Sequence, residues 1–221
     1  MVKDIFIFRH GDAGPPDLCK GNKLDFALSP QGLEQTRANM QLIVDAARGR
    51  SLELLVSPSL RCLTAREFAP RNARVRVVPE FRDIDIGKLE GMTHAKVEQK
   101  FPGLLGQLRK DARVEILLPG AEELIPAFRE RVLWAYGEAL QSDAEVTGIV
   151  THGCDKEEIV ASVLGGPVRY LRHKHGAGSL IRLANGSPEV LVESRALYDG
   201  EAPLVWQHFT DTSSPSRALR A

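Results

Sequence analysis

Hydrophobic positions along this chain follow two rhythms, short consecutive runs and longer stretches spaced by three or four residues. The first run, Asp4-Ile5-Phe6-Ile7-Phe8, predicts a strand buried on both faces. A loop over 12–27 follows, with Gly14-Pro15-Pro16 and Gly21-Asn22 inside it. Ser29-Pro30 reads as an N-cap with proline at the first helical position. Leu33, Met40, Ile43, Val44 and Ala47 then recur at helical spacing until Gly49, a natural stop. Leu52 to Val56 predicts a second buried strand, leading into Ser57-Pro58-Ser59 and a helix carrying Leu60, Arg61, Ala65 and Phe68, which Pro70 ends. Val75 to Val78 predicts a third strand, Phe81 to Gly91 a loop, and Thr93 the cap of a helix reaching Phe101.

Glu122 to Leu140 is the longest helical pattern, with Leu124, Phe128, Val132 and Tyr136 on one stripe. Val146 to Val150 is again strand-like and ends in Thr151-His152-Gly153. A helix from Lys156 to Leu164 follows, stopped by Gly165-Gly166-Pro167. Ser179 to Leu183 and Glu189 to Val192, joined by Asn185-Gly186, predict a closing hairpin. Trp134 and Trp206 read as packing residues. Strands alternating with helices predict one α/β domain over 1–209, a three-layer sandwich whose mainly parallel central sheet is flanked by helices. Residues 210–221 read as a frayed tail.

Composition narrows the function classes. Lys plus Arg and Asp plus Glu number 29 each, so no global field recruits nucleic acid or anionic membrane. Affinity for an anion must come from locally gathered cations. No apolar stretch approaches membrane-spanning length, and the N-terminus has no signal-like segment, which predicts a cytoplasmic protein. Cys19, Cys62 and Cys154 are too few and too dispersed for a disulfide framework or a structural zinc site; no metal and no cofactor are expected.

The chemistry gathers at three strand ends: Arg9-His10-Gly11, Ser57-Pro58-Ser59-Leu60-Arg61 and Thr151-His152-Gly153. Parallel neighbours would bring these segments to one sheet edge, where α/β proteins bind ligands. Arginine's planar fork matches phosphoryl oxygens and stays charged. A neutral imidazole can attack phosphorus and form a covalent intermediate. A departing alkoxide also needs a proton donor, and Asp83, Asp85 and Glu90 supply candidate carboxylates whose pKa would have to be raised by burial. Competing chemistries lack their residues. Cysteine-based phosphatases need Arg six positions after the nucleophile, where Cys19, Cys62 and Cys154 are followed by Asp25, Phe68 and Val160. The Asp-x-Asp of Asp83-Ile84-Asp85 has no apolar strand before it, and no P-loop is present. Arg169, Arg172, His173, Lys174 and His175 read as an exposed basic turn.

These elements, in this order, resemble the histidine phosphatase superfamily, also called phosphoglycerate mutase-like. The matching motifs are Arg9-His10-Gly11, Leu28-Ser29-Pro30-Gln31-Gly32, Ser57-Pro58-Ser59-Leu60-Arg61-Cys62-Leu63-Thr64-Ala65, Phe81 through Gly91, and His152-Gly153. The resemblance implies a phosphoglycerate mutase-like fold and hydrolysis of a phosphorylated small molecule through a phosphohistidine. It implies His10 as nucleophile, Arg9, Arg61, His152 and Gly153 as phosphoryl-binding groups, and Asp83, in place of the commoner Glu, as proton donor. Pro16 stands where mutase-type members carry Asn, which favours a phosphatase over a mutase. Leu18-Cys19-Lys20-Gly21 with Asp25 and Leu28 is similar, with one residue of spacing changed, to alpha-ribazole phosphatases. A protein phosphohistidine phosphatase and a non-catalytic phospho-ligand binder are the remaining alternatives. No nucleic-acid or membrane partner is implied, and oligomeric state leaves no mark in the sequence.

Overall fold

The computed structural model describes residues 2–110, 118–166, 168, 170 and 174–196, with 192–196 described as backbone only. The expected domain limit at 209 and the expected tail over 210–221 lie outside these residues, as does Trp206. Six strands form one sheet: β1 (Lys3–Arg9), β2 (Leu52–Val56), β3 (Arg74–Val77), β4 (Val146–Thr151), β5 (Ala177–Ala184) and β6 (Ser187–Ala196). Their order is β3-β2-β4-β1-β5-β6. The first four run parallel, while β5 and β6 are antiparallel to their neighbours.

Helices cover both faces, which explains the unbroken apolar strand runs. Ile5 and Ile7 point into a cluster with Phe128 and Val132 of α5 (Ile125–Gln141) and Ile159 of α6 (Gly153–Leu164). Phe6 and Phe8 point the other way, against Met40 and Ile43 of α1 (Pro30–Ala46). Each such side chain contributes roughly 1.5–3 kcal/mol by leaving water. The exception inside β2 is Glu53, 1% exposed, whose Oε1 accepts from Arg74 Nε and Arg76 Nε of β3 at 2.9 Å each. A buried carboxylate is tolerated because two guanidiniums meet it.

Several boundaries differ from expectation for local reasons. After Ser59 only one α-turn forms, α2 (Leu60–Leu63), before a 3-10 segment over Thr64–Phe68. The helix capped by Thr93 is α3 (His94–Lys100), and α4 (Leu104–Lys110) occupies part of the expected 101–119 loop, of which 111–117 lie outside the described residues. α5 begins at Ile125, not Glu122, with extended backbone at Leu124 and Pro126 in its first turn, while the Glu122 N–H donates to Asp85 Oδ2 at 2.8 Å. Leu124 is consequently its exposed N-cap residue. Trp134 is 58% exposed, since Phe128, Val132, Ala135, Tyr136 and Ala139 take the inner face; it is not a core residue. α6 starts at Gly153, three residues early, with His152 as its N-cap.

Two glycines clamp the loop that leaves β1. A Cβ on Gly11 would stand 2.0 Å from the Gly32 carbonyl oxygen, and one on Gly32 would stand 2.0 Å from the Asp12 carbonyl oxygen. Only glycine allows that backbone approach. Ser29 completes the joint, its Oγ accepting from Gly32 N–H at 3.0 Å and donating to Asp12 Oδ2 at 2.7 Å.

Candidate active site

Strand register sets the level of the site. Arg9 pairs with Thr151 across β1 and β4, and the His10 N–H donates to the Thr151 carbonyl at 2.8 Å. Ser57 N–H donates to the Val150 carbonyl from the far side of β4 at 3.0 Å. The C-terminal ends of β1, β4 and β2 thus present Arg9-His10, His152 and Ser57-to-Arg61 along one edge.

His10 is 4% exposed, and its ring centroid lies 5.3 Å from that of His152 in an edge-on arrangement. Its Nδ1 is 2.7 Å from the Gly11 carbonyl. A carbonyl can only accept, so the ring proton belongs on Nδ1 and the lone pair on Nε2. Arg61 Nε donates to that Nε2 at 3.2 Å. Burial first, then the charges of His152, Arg9 and Arg61, hold His10 well below the ordinary histidine pKa and therefore neutral.

Arg61, 1% exposed, is held at every corner. Nη1 donates to the Leu24 carbonyl at 3.1 Å and pairs with Asp25 at 3.2 Å; Nη2 donates to the Gly21 carbonyl at 3.1 Å and to Asp83 Oδ2 at 2.9 Å. Burial opposes its charge, but Asp83 beside it and Asp25 leave its pKa above the ordinary value. The two loop carbonyls are themselves positioned by Glu90, whose Oε1 accepts from Gly21 N–H at 2.9 Å and Leu24 N–H at 2.8 Å. Glu90, read from sequence as a candidate donor, therefore clamps the loop.

Asp83 is 6% exposed, which excludes a solvated loop carboxylate. Its Oδ2 stands between Arg61 Nη2 at 2.9 Å and His152 Nδ1 at 3.1 Å, and its Oδ1 accepts from the Ile84 N–H at 2.9 Å. Burial pushes its pKa up, but His152, Arg61 and the Ile84 amide together bring it below the ordinary carboxylate range. The raised pKa expected from sequence is thus corrected: these neighbours hold Asp83 ionised. Asp85 accepts from Gly87 N–H at 2.9 Å and Glu122 N–H at 2.8 Å and faces Lys23 at 3.5 Å, which makes it a joint between the loop and the start of α5.

His152 is buried, with Nε2 2.8 Å from Ser57 Oγ. Burial lowers its pKa although Asp83 opposes this. Gly153 lies against Arg9; a Cβ there would reach 3.4 Å from Arg9 Cδ. As the first residue of α6, with no side-chain cap, Gly153 opens a helix N-terminus suited to an anion.

Two residues escaped the sequence reading. His175, expected in an exposed basic turn, packs 5.4 Å from the His10 ring and touches Arg9 and Asp12. Of its neighbours, Lys174 is exposed, while Arg169, Arg172 and His173 lie outside the described residues. Asp155, in the first turn of α6, is fully buried and hydrogen-bonded to Thr151 Oγ1. Burial and the charge of Asp83 raise its pKa well above the ordinary value, which favours its neutral form. A signal existed for both: His175 precedes Gly176 as His10 and His152 precede theirs, and Asp155 follows Thr151 by one helical turn.

Among the described residues no group of three or more histidine, cysteine and carboxylate side chains could hold a metal ion. Nor is any described helix long and apolar enough to cross a membrane. A model of the histidine phosphatase superfamily (branch 1) matches residues 5–193. Among solved structures, YhfR of Bacillus stearothermophilus superposes with TM-score 0.72 at 22% identity, covering 86% of this chain and 96% of that one. The alpha-ribazole phosphatase of Shigella flexneri gives TM-score 0.70 at 20% identity, with 87% and 96% covered. The mycobacterial glucosyl-3-phosphoglycerate phosphatase gives 0.68 at 21%, with 87% and 98% covered. At such identities the likeness is one of fold. No curated protein matches the chain.

Proposed function

The chain belongs to the histidine phosphatase superfamily, and on that premise we propose that it hydrolyses a phosphomonoester of a small molecule through a phosphohistidine on His10. The observation that carries this reading is the His10 Nε2 lone pair, kept unprotonated by the Nδ1–H contact to Gly11 and held 3.2 Å from Arg61 Nε. Two solved relatives are named as phosphatases of small molecules, which supports the same substrate class.

In the first step His10 Nε2 attacks phosphorus, and the bond from phosphorus to the ester oxygen breaks. Positive charge develops on the ring, and the Gly11 carbonyl stabilises it at Nδ1. Arg9, Arg61, His152 and the α6 N-terminus offset the charge on the phosphoryl oxygens. Asp83 gives its proton to the leaving oxygen. In the second step Asp83 takes a proton from water, the water oxygen attacks phosphorus, the P–N bond breaks, and inorganic phosphate leaves with His10 neutral again.

Asp83 must be protonated for the first step, yet Arg61, His152 and the Ile84 amide favour its ionised form. The substrate supplies the reversal. A phosphoryl oxygen competes with Asp83 Oδ2 for Arg61 Nη2, which now donates to it, and for His152 Nδ1, which lies 3.1 Å from it. The carboxylate then loses its pairing with Arg61 and gains a like charge beside it, and both changes raise its pKa. Asp83→Asn is expected to slow hydrolysis of an alkyl phosphate by about 10²–10⁴-fold but p-nitrophenyl phosphate much less, because nitrophenolate leaves without a proton. Equal losses on both esters would remove Asp83 from the donor role.

The direct test is rapid alkaline quenching during turnover of a ³²P-labelled ester. Acid-labile, alkali-stable label on the peptide containing His10 is the expected result. A pocket that binds phosphate yet never takes label would be a phospho-ligand binder instead.

A further inference from the structure

We infer that His175 is a positioning residue for Arg9, the middle member of a chain Asp12–His175–Arg9; this rests on the phosphomonoesterase reading of the pocket. His175 Nε2 lies 3.0 Å from Arg9 Nη2, and His175 Nδ1 lies 3.3 Å from Asp12 Oδ1. A guanidinium only donates, so Nε2 must carry the lone pair. The remaining ring proton then belongs on Nδ1, which faces the carboxylate. Both contacts are met by one neutral tautomer.

The chain is anchored at Asp12 and beside His175. Asp12 accepts from Ser29 Oγ at 2.7 Å, and its N–H donates to Gln35 Oε1 at 2.8 Å. Next to His175, the Gly176 N–H donates to the His10 carbonyl at 3.0 Å, and the Gly176 carbonyl accepts from Asn39 Nδ2 at 3.1 Å. Gly176 adopts φ +69°, a left-handed turn that aims the preceding imidazole at Arg9. α1 and its N-cap thus hold Asp12 and the turn that carries the imidazole.

A neutral acceptor suits this place. The other arginine, Arg61, is paired directly with the carboxylates of Asp83 and Asp25. In the contact with His175, Arg9 is oriented by a lone pair, so this partner does not cancel the charge needed for the phosphoryl group. Protonation would set Nε2–H against the guanidinium, and burial together with Arg9 pulls the His175 pKa down to about 3 while Asp12 opposes the shift.

The test begins with ¹⁵N NMR of the wild-type imidazoles at neutral pH. His175 is expected as the Nδ1–H tautomer; Nε2–H or an imidazolium would overturn the inference. The second measurement is calorimetric binding of inorganic phosphate. His175→Phe keeps the ring volume without the lone pair and is expected to weaken binding about tenfold, as one charged hydrogen bond would. His175→Gln, whose Oε1 can accept from Arg9, is expected to restore most of it. Unchanged phosphate affinity in a folded H175F protein, or equal loss in H175F and H175Q, would overturn the inference. Should H175F fail to fold, the wild-type tautomer decides. Neither measurement needs turnover, so a wild type that binds phosphate but hydrolyses no ester would sink the hydrolytic reading alone.

Discussion

His10→Ala is expected to reduce turnover of p-nitrophenyl phosphate by about four orders of magnitude or more, since nucleophile removal in enzymes of covalent mechanism costs that much. The fold should survive. His10 Nδ1 contacts the adjacent Gly11 carbonyl, and its backbone N–H bond to Thr151 is independent of the side chain. Far-UV and near-UV circular dichroism should therefore match wild type while activity disappears. Retention of a substantial fraction of activity would rule out this nucleophile. Wild-type behaviour with pH provides a second check. Because burial and the surrounding cationic groups lower the His10 pKa, the acid limb of kcat/KM should fall below 6.5, the ordinary histidine value. A limb at or above that value would mean that His10 is exposed to solvent or paired with an anion in the working enzyme.

Arg61→Ala should damage both stability and catalysis. Its guanidinium donates to His10 Nε2, to the Leu24 and Gly21 carbonyls, and to Asp25 and Asp83. Removal strips Asp83 of its closest cation while leaving it buried, a change that costs about 3–5 kcal/mol in comparable buried pairs. It also withdraws a charge that offsets the phosphoryl oxygens, worth about a thousandfold in kcat. Arg61→Lys should recover part of the stability, measured as the urea midpoint, but little of the activity. An ammonium cannot present the fork that reaches Gly21, Leu24 and Asp83 together. Near-wild-type turnover in either variant would separate Arg61 from the phosphoryl group and leave it a purely structural strut.

The α/β class and its layered sheet were readable because their causes are local. Ile5-Phe6-Ile7-Phe8 is apolar on both faces because β1 is covered on both sides, and Ser29-Pro30 caps α1 by a contact three residues long. Arg9, His10, Arg61 and His152 were readable for a related reason: each stands at or just beyond the end of an apolar run, and parallel strands bring such ends together. The start of α6 directly at Gly153 was less legible, since the strand-to-helix turn has no loop residues to announce it.

Through-space effects decided the rest. A linear chain cannot reveal that Asp83 is wedged between Arg61 and His152, and that enclosure reverses the protonation state its burial alone would produce. His175 looked like one member of a basic turn until the Gly176 turn and α1 brought it against Arg9 and Asp12. Glu90 looked like a candidate acid until Gly21 and Leu24 were seen to claim it. Periodicity and capping act over a few residues and are written in sequence order. The charge on a buried side chain depends on which distant groups fold against it, and only the packed chain determines that.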